Sequence, residues 1–341
     1  MALGRRLTAV CALAAALAGY AAAVQGPPVL KERRKTARPA AETASAQTPQ
    51  DKGYTIGVNV ELVVLHASVY DKSGNFVAGL KKPDFKVFED GVAQTVTTFS
   101  QEDVPVSLGI LVDVSGSMRS KIGKVTDSAL EFIRASNPAD ESFLVAFNDR
   151  VELVQDYTSD LGEISGALKS IVVYGGTALY DAIVLGVEKA QKGAKPKKAI
   201  IVISDGEDRD SYYKLDQMLA KVRESDVAVY CVGFLGPIPD HGKLFSLLSK
   251  NPAEKARGVL TRIAQETGGK AFFPQATSEM SGIVVEIAHE LRHQYSIAYM
   301  SSNPVKDGSW RSVKVMLEGP NAQQYHVRTR AGYFPAKRVP S

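Results

Sequence analysis

Two groups of residues have the types and the spacing that chemistry requires. The first is spread over three segments. Asp113, Ser115 and Ser117 follow the apolar run "VSLGILV", Thr177 follows the pair Gly175–Gly176, and Asp205 follows the apolar run "KAIIVIS". All five side chains offer oxygen, two as carboxylates and three as hydroxyls. These segments contain no His or Cys, so zinc and copper match poorly, whereas Mg2+, or else Mn2+ or Ca2+, suits hard oxygen donors. A hydroxyl is a weak, neutral ligand. A cation held mainly by hydroxyls stays electron-poor and favours a further carboxylate brought by another molecule. That is the chemistry of docking. The second group is His289, Glu290 and His293, an H-E-x-x-H pattern. On a helix the two imidazoles share a face and can hold one zinc, with Glu290 as general base, as in a secreted metalloprotease.

Each group depends on the elements that place it, and the zinc pattern lacks them. No third His follows at metalloprotease spacing, Glu318 lies beside a turn, and Gln294 to Tyr299 read as a strand that ends the helix early. Ile283, Val284, Ile287, Ala288 and Leu291 form the helix's apolar face. Glu286, His289, Glu290 and His293 are expected on the opposite, solvated side. His66, His241 and His326 are scattered, and no P-loop or G-x-G-x-x-G follows a strand.

The oxygen group is better supported. From Val104 the chain alternates apolar strands with helical patterns: "VSLGILVD", "GKVTDSALEFIRAS", "SFLVAFN", "LYDAIVLGVEKAQ", "KAIIVISD", "KLDQMLAKVRES", "VAVYCVGF", "VLTRIAQETGG" and "KAFFP". Continuous apolar strands alternating with helices specify an α/β fold with a doubly wound, mostly parallel sheet. Such sheets bind ligands at the carboxyl ends of their strands. Asp113, Ser115, Ser117, Thr177 and Asp205 all fall at that rim. Residues 236–258, with three prolines and no clear period, read as an inserted loop with a short helix.

On either side the period changes to two. "VNVELVVLHASVYDKSGNFVAGL" and "FKVFEDGVAQTVTTFS" before, and "QYSIAYMS", "WRSVKVMLEG" and "QYHVRTRAGYF" after, alternate between S-G and D-G turns. We expect a small β domain over 53–103, the α/β unit over 104–300, and C-terminal strands over 301–341. Pairing of those strands with 53–103 would make the α/β unit an insertion in a β domain.

The segments "DVSGS", "GGT" and "SDGED", in this order and context, resemble the von Willebrand factor type A domain with a metal-ion-dependent adhesion site. The resemblance covers about residues 104–300. The family pattern D-x-S-x-S, with a later Thr and a later Asp, falls on Asp113, Ser115, Ser117, Thr177 and Asp205 without departure. It implies a Rossmann-like fold and direct metal binding by the two serines. Thr177 and the acids would bind directly or through water, and a partner's Glu or Asp would complete the shell. The flanking strands resemble bacterial exported proteins of the VWFA-related type. Glu207, Asp208 and Asp210, in "SDGEDRDS", read as an acidic surface loop rather than as an extension of the site.

Composition sets the setting. The chain has 341 residues, 45 % of them hydrophobic and 23 % charged, as a globular protein requires. Residues 1–23 join Arg5 and Arg6 to an apolar stretch and the small residues Ala21 and Ala23, a secretory signal with an uncleaved membrane anchor as the alternative. Cleavage removes Cys11 and leaves Cys231 alone in an apolar strand, so an internal disulfide is impossible and Cys231 is expected in the core. Of 41 basic and 37 acidic residues, 39 and 37 remain, too even to point to nucleic acid. Residues 24–52, with the basic cluster "KERRKTARP", read as a disordered linker, the one segment suited to touching a membrane surface. The expectation is a secreted or periplasmic, non-enzymatic adhesion protein that docks a partner carboxylate through Mg2+. The alternatives are the metalloprotease, and a structural envelope component with a vestigial metal site.

Overall fold

A computed structural model describes residues 26–32, 62–235, 252–305 and 307–335. The signal of residues 1–23 and most of the linker lie outside the described residues. Among the described residues no helix is long and apolar enough to cross a membrane.

The α/β unit is built on a seven-stranded sheet. Its strands are β1 (Lys31–Glu32), β6 (Val106–Asp113), β7 (Glu141–Phe147), β8 (Val151–Thr158), β9 (Lys197–Ser204), β10 (Ala228–Gly233) and β11 (Ala271–Phe272). Their spatial order is β1-β8-β7-β6-β9-β10-β11, and every pair is parallel except β7–β8. Every residue of the central strand β6 is buried. Among the described residues six helices cover the sheet: α1 (Ile122–Ala135), α2 (Leu161–Lys169), α3 (Leu179–Ala190), α4 (Leu215–Arg223), α5 (Pro252–Thr267) and α6 (Met280–His293). Val125, Phe132, Leu168, Ile287 and Leu291 of α1, α2 and α6 pack on Leu108, Ile110 and Val112 of β6. On the other face Ile183, Leu219 and Leu260 of α3, α4 and α5 pack with Leu111, Phe143 and Val202. The doubly wound, mostly parallel sheet expected from the apolar strands is therefore present.

The remaining strands form a sandwich. They are β2 (Leu62–Asp71), β3 (Phe85–Glu89), β4 (Val92–Gln94), β5 (Val96–Ser100), β12 (Tyr295–Met300), β13 (Arg311–Leu317), β14 (Tyr325–Arg328) and β15 (Gly332–Tyr333). One sheet runs β14-β2-β12-β5 and the other β15-β13-β3-β4. β12 lies antiparallel between β2 and β5, so strands from the two ends of the chain interleave and the α/β unit is an insertion between β5 and β12. Alternation supplies the sandwich core: Val63, Leu65, Ala67 and Val69 of β2 meet Tyr295, Ile297 and Tyr299 of β12, and Val313 and Val315 of β13. The hairpin at Asp90–Gly91 has positive φ at both residues, 47° and 80°, as a tight two-residue turn requires.

Four expectations change. Tyr295–Met300, placed with the α/β unit, pairs with the sandwich strands β2 and β5, because its alternating pattern exposes one face to that core. Residues 31–32, placed in the linker, add β1 to the open edge of β8 in register with Glu152 and Leu153. β8 and α2 were not expected: β8 mixes polar residues with apolar ones, and α2 is only nine residues long. The helix expected from Val259 starts at Pro252, because proline suits a helix's first turn.

Candidate metal centre

Asp113 closes β6 and is fully buried. The chain then turns so that Ser115 lies beneath the rim, at 2 % exposure, while Ser117 reaches the surface in a short 3-10 turn, Gly116–Met118. The Ser115 amide donates to Asp113 Oδ1 at 2.8 Å and holds this turn closed. The Ser115 and Ser117 hydroxyls are 3.0 Å apart, and Ser117 Oγ donates to Asp205 Oδ2. Asp205 is half-buried just past β9. Four of the five expected residues are thus joined by hydrogen bonds across two loops.

The fifth, Thr177, stands on the neighbouring loop and is 4 % exposed. The Gly116 amide donates to the Gly175 carbonyl at 3.2 Å, which joins the two loops. Gly175 has φ +78°, a conformation that disfavours a side chain. Asp210 Oδ2 accepts from the Thr177 amide at 2.8 Å, and the Thr177 carbonyl accepts from the Arg209 and Asp210 amides at 2.9 and 3.1 Å. A Cβ on Gly176 would stand 1.9 Å from Asp210 Oδ2, so only glycine permits this approach. Asp208 accepts from the Tyr180 amide and from Ser211 Oγ. The acidic stretch after Asp205 is therefore more than a solvated loop: Asp208 and Asp210 fasten the Thr177 loop and the start of α3.

Sequence reasoning missed Ser204. Its hydroxyl donates to Asp113 Oδ2 at 2.6 Å and accepts from the Gly206 amide at 3.0 Å. The available signal was a hydroxyl ending an apolar run. Both Asp113 oxygens are thus occupied by neutral donors. Burial pushes the Asp113 carboxyl above the ordinary carboxylate range. The Ser115 and Ser204 hydrogen bonds oppose that rise, and the charge of Asp205 adds to it.

The donor set fits a hard divalent cation. Adjacent corners of an octahedron with bonds of about 2.1 Å are about 3.0 Å apart, and the two serine oxygens stand at 3.0 Å. The same spacing is an ordinary hydrogen bond, so the pair is held ready by its own contacts. A cation here would also offset two neighbouring carboxylates, one of them buried. Ser115, Ser117, Thr177, Asp205 and Asp113 are the residues that would hold it, directly or through water.

The H-E-x-x-H helix is put together differently from either expectation. His289 and His293 stack with ring centroids 4.0 Å apart, and His293 Nδ1 lies 2.6 Å from the His289 carbonyl. Glu290, expected on the solvated face, is 1 % exposed. It lies three residues after Ile287 and seven after Ile283, on the flank of the apolar stripe, where α6 meets the sandwich. Its Oε1 accepts from Ser68 Oγ and Tyr230 Oη, both at 2.8 Å, and from Arg328. Burial works to raise this carboxyl, but the charge and hydrogen bonds of Arg328, with those of Tyr70 and Ser68, hold it below the ordinary range. A carboxylate enclosed in this way cannot serve as base to water beside His289. Among the described residues no group of three or more His, Cys, Asp or Glu could hold a metal. Cys231 is buried in β10, as expected.

Residues 108–207 match the family model of the von Willebrand factor type A domain. An uncharacterized protein of Synechocystis sp. is 27 % identical over 230 residues, 64 % of this chain and 52 % of that protein. Mouse inter-alpha-trypsin inhibitor heavy chain H2 is 26 % identical over 277 residues, 75 % of this chain and 28 % of that protein. The chain thus spans about half of the first relative and under a third of the second. Among solved structures, a von Willebrand factor type A protein from Catenulispora acidiphila aligns with TM-score 0.45 and 12 % identity over 84 % of this chain and 78 % of that one. The vWF domain of a type V pili tip protein from Porphyromonas gingivalis aligns with TM-score 0.45 and 12 % identity, over 55 % and 95 % of the two chains.

Proposed function

We infer that this chain, which carries a von Willebrand factor type A domain over residues 108–207, is an exported, non-enzymatic adhesion protein that docks a partner's carboxylate through a divalent cation at the sheet rim. The observation that carries this reading is the serine pair 3.0 Å apart, tied to Asp205 through Ser117. Export rests on the basic–apolar–small pattern of residues 1–23.

The bound cation supplies a Lewis-acidic corner that takes an oxygen from outside; Mg2+ fits best, with Mn2+ or Ca2+ as substitutes. The chain's own residues do the rest. Ser115 and Ser117 present neutral oxygens, which leave more positive charge uncompensated than carboxylates would. Asp113, held by Ser115 and Ser204, keeps its negative charge below the rim and away from an incoming anion. Asp210 sets the Thr177 loop. The partner supplies Asp or Glu.

The test is thermal unfolding of the full chain with millimolar Mg2+ and then with EDTA. A ligand of the folded state raises the midpoint by mass action; at about 100 times Kd the gain is about 2.7 kcal/mol. Asp113→Ala and Ser115→Ala should both fold and should both lose the response. Wild-type response in both variants would place the cation elsewhere.

A further inference from the structure

A cleft of about 450 Å³ reaches the D-x-S-x-S turn at Val114 and is lined also by Ile171, Val172, Tyr174, Arg150 and Lys31 among others, with none of the candidate metal donors in its wall. Val114 lies between Asp113 and Ser115, so the cleft begins at the D-x-S-x-S turn itself. The Tyr174 amide donates to the Val114 carbonyl at 2.9 Å, which ties the 170–174 loop to the D-x-S-x-S turn along the cleft. At its mouth two large apolar side chains face solvent, Val172 at 63 % and Tyr174 at 52 % exposure. An exposed apolar patch marks an interaction site, and Tyr and Arg, both present here, are the residue types enriched in binding hot spots. The basic and acidic groups of the cleft balance, with Lys31 and Arg150 against Glu32 and Glu152. The attraction for an anion therefore comes from the cation site, and the cleft contributes apolar contact. Its volume is at the small end for ligand pockets, about 300–1,000 Å³, which suits one or two side chains rather than a whole domain.

We propose that the partner segment carries its metal-binding Asp or Glu next to a large apolar side chain, and that this side chain enters the cleft between Tyr174, Val172 and Arg150. The inference rests on the docking reading above and adds the partner's chemistry to it. The carboxylate meets the cation at Ser115, Ser117 and Thr177. The neighbouring Leu-, Phe- or Tyr-sized group covers Val172 and Tyr174, and selects among the many acidic residues a cation alone would accept. Val172 and Tyr174 are thus specificity-determining residues.

A displayed library of random linear peptides, bound to the full chain in Mg2+ and eluted with EDTA, tests this. The eluted peptides should be enriched in Asp or Glu adjacent to a large apolar residue. Affinity of a selected peptide should fall about tenfold or more in Val172→Ser and in Tyr174→Ser. It should be unchanged in Val92→Ser, an exposed apolar site on the sandwich. Both cleft variants should keep the wild-type unfolding midpoint and its Mg2+ response, since neither supplies a metal donor. EDTA-eluted peptides that bind the cleft variants at full strength overturn the inference and leave cation docking intact. No enrichment, the result expected if another stretch of this chain fills the cleft, also overturns it. Failure of the underlying reading is seen separately, as a missing Mg2+ response in the wild type.

Discussion

Glu290→Gln separates a structural acid from a catalytic one. The wild-type carboxylate is 1 % exposed and faces Arg328, whose side chain is 21 % exposed. Removing one member of a buried ion pair costs about 3–5 kcal/mol, because the other charge is left buried without its counter-ion. Two features lower that figure here. Glutamine keeps an acceptor for Ser68 and Tyr230, which both donate to the same Glu290 oxygen. Arg328 is partly solvated and also donates to Tyr70 at 2.8 Å. We therefore expect about 2–3 kcal/mol, or roughly 4–12 °C in the unfolding midpoint at ~2–4 °C per kcal/mol. The assay is calorimetry at pH 7. Adding Arg328→Met should restore part of the loss, since it removes the charge left without its counter-ion. The sign with pH follows from the lowered Glu290 pKa. Its contribution is complete above the ordinary value of 4.5 and is lost as pH falls through the lower folded value, so the variant's deficit should shrink in acid. A Glu290→Gln chain that unfolds with the wild type would refute the buried-pair argument. If that chain also lost a caseinolytic activity present in the wild type, the metalloprotease would return.

Further outcomes follow from the same contacts. Gly176→Ala, whose new Cβ would stand 1.9 Å from Asp210 Oδ2, should leave the fold intact and weaken the Mg2+-induced rise in unfolding midpoint; Asp210→Asn should act in the same direction. Lys197 is buried, donates to the Leu291 carbonyl at 2.9 Å, and has its pKa lowered by burial from 10.5 to about 8. The unfolded chain then binds the extra proton between pH 8 and 10.5, so wild type should gain stability relative to Lys197→Met over that window, read by denaturant unfolding at pH 7.5 and 10. Burial pushes the Cys231 thiol up to about 12, so a thiol reagent at pH 8 should label it only under unfolding conditions.

Much of the architecture is legible in local pattern. A strand covered on both faces must be apolar throughout, and β6, with every residue buried, is written that way. A strand covered on one face must alternate, and β2 and β13 do. The turns at Asp71–Gly74 and Asp90–Gly91 carry the residues that their backbone demands. The rim residues were legible for a further reason. In a parallel sheet, whatever follows an apolar strand lies at the carboxyl edge, so "DVSGS" and "SDG" had to come close if both strands were central and parallel.

Pairing over long separations was not legible, because it depends on which surfaces meet. Ser68 and Glu290 are 222 residues apart, and Glu290 and Arg328 are 38 apart. An acid flanking an apolar stripe is stable in solvent or against a guanidinium; only the packing of α6 on the sandwich decides between them. The same holds for Asp210 at the Thr177 amide, for Ser204 beneath Asp113, and for Lys31–Glu32 on the edge of β8. Local sequence sets which face of an element seeks cover. The covering surface, and with it the fate of each polar group at the margin, is set when α/β unit and sandwich close on each other and water leaves the space between them.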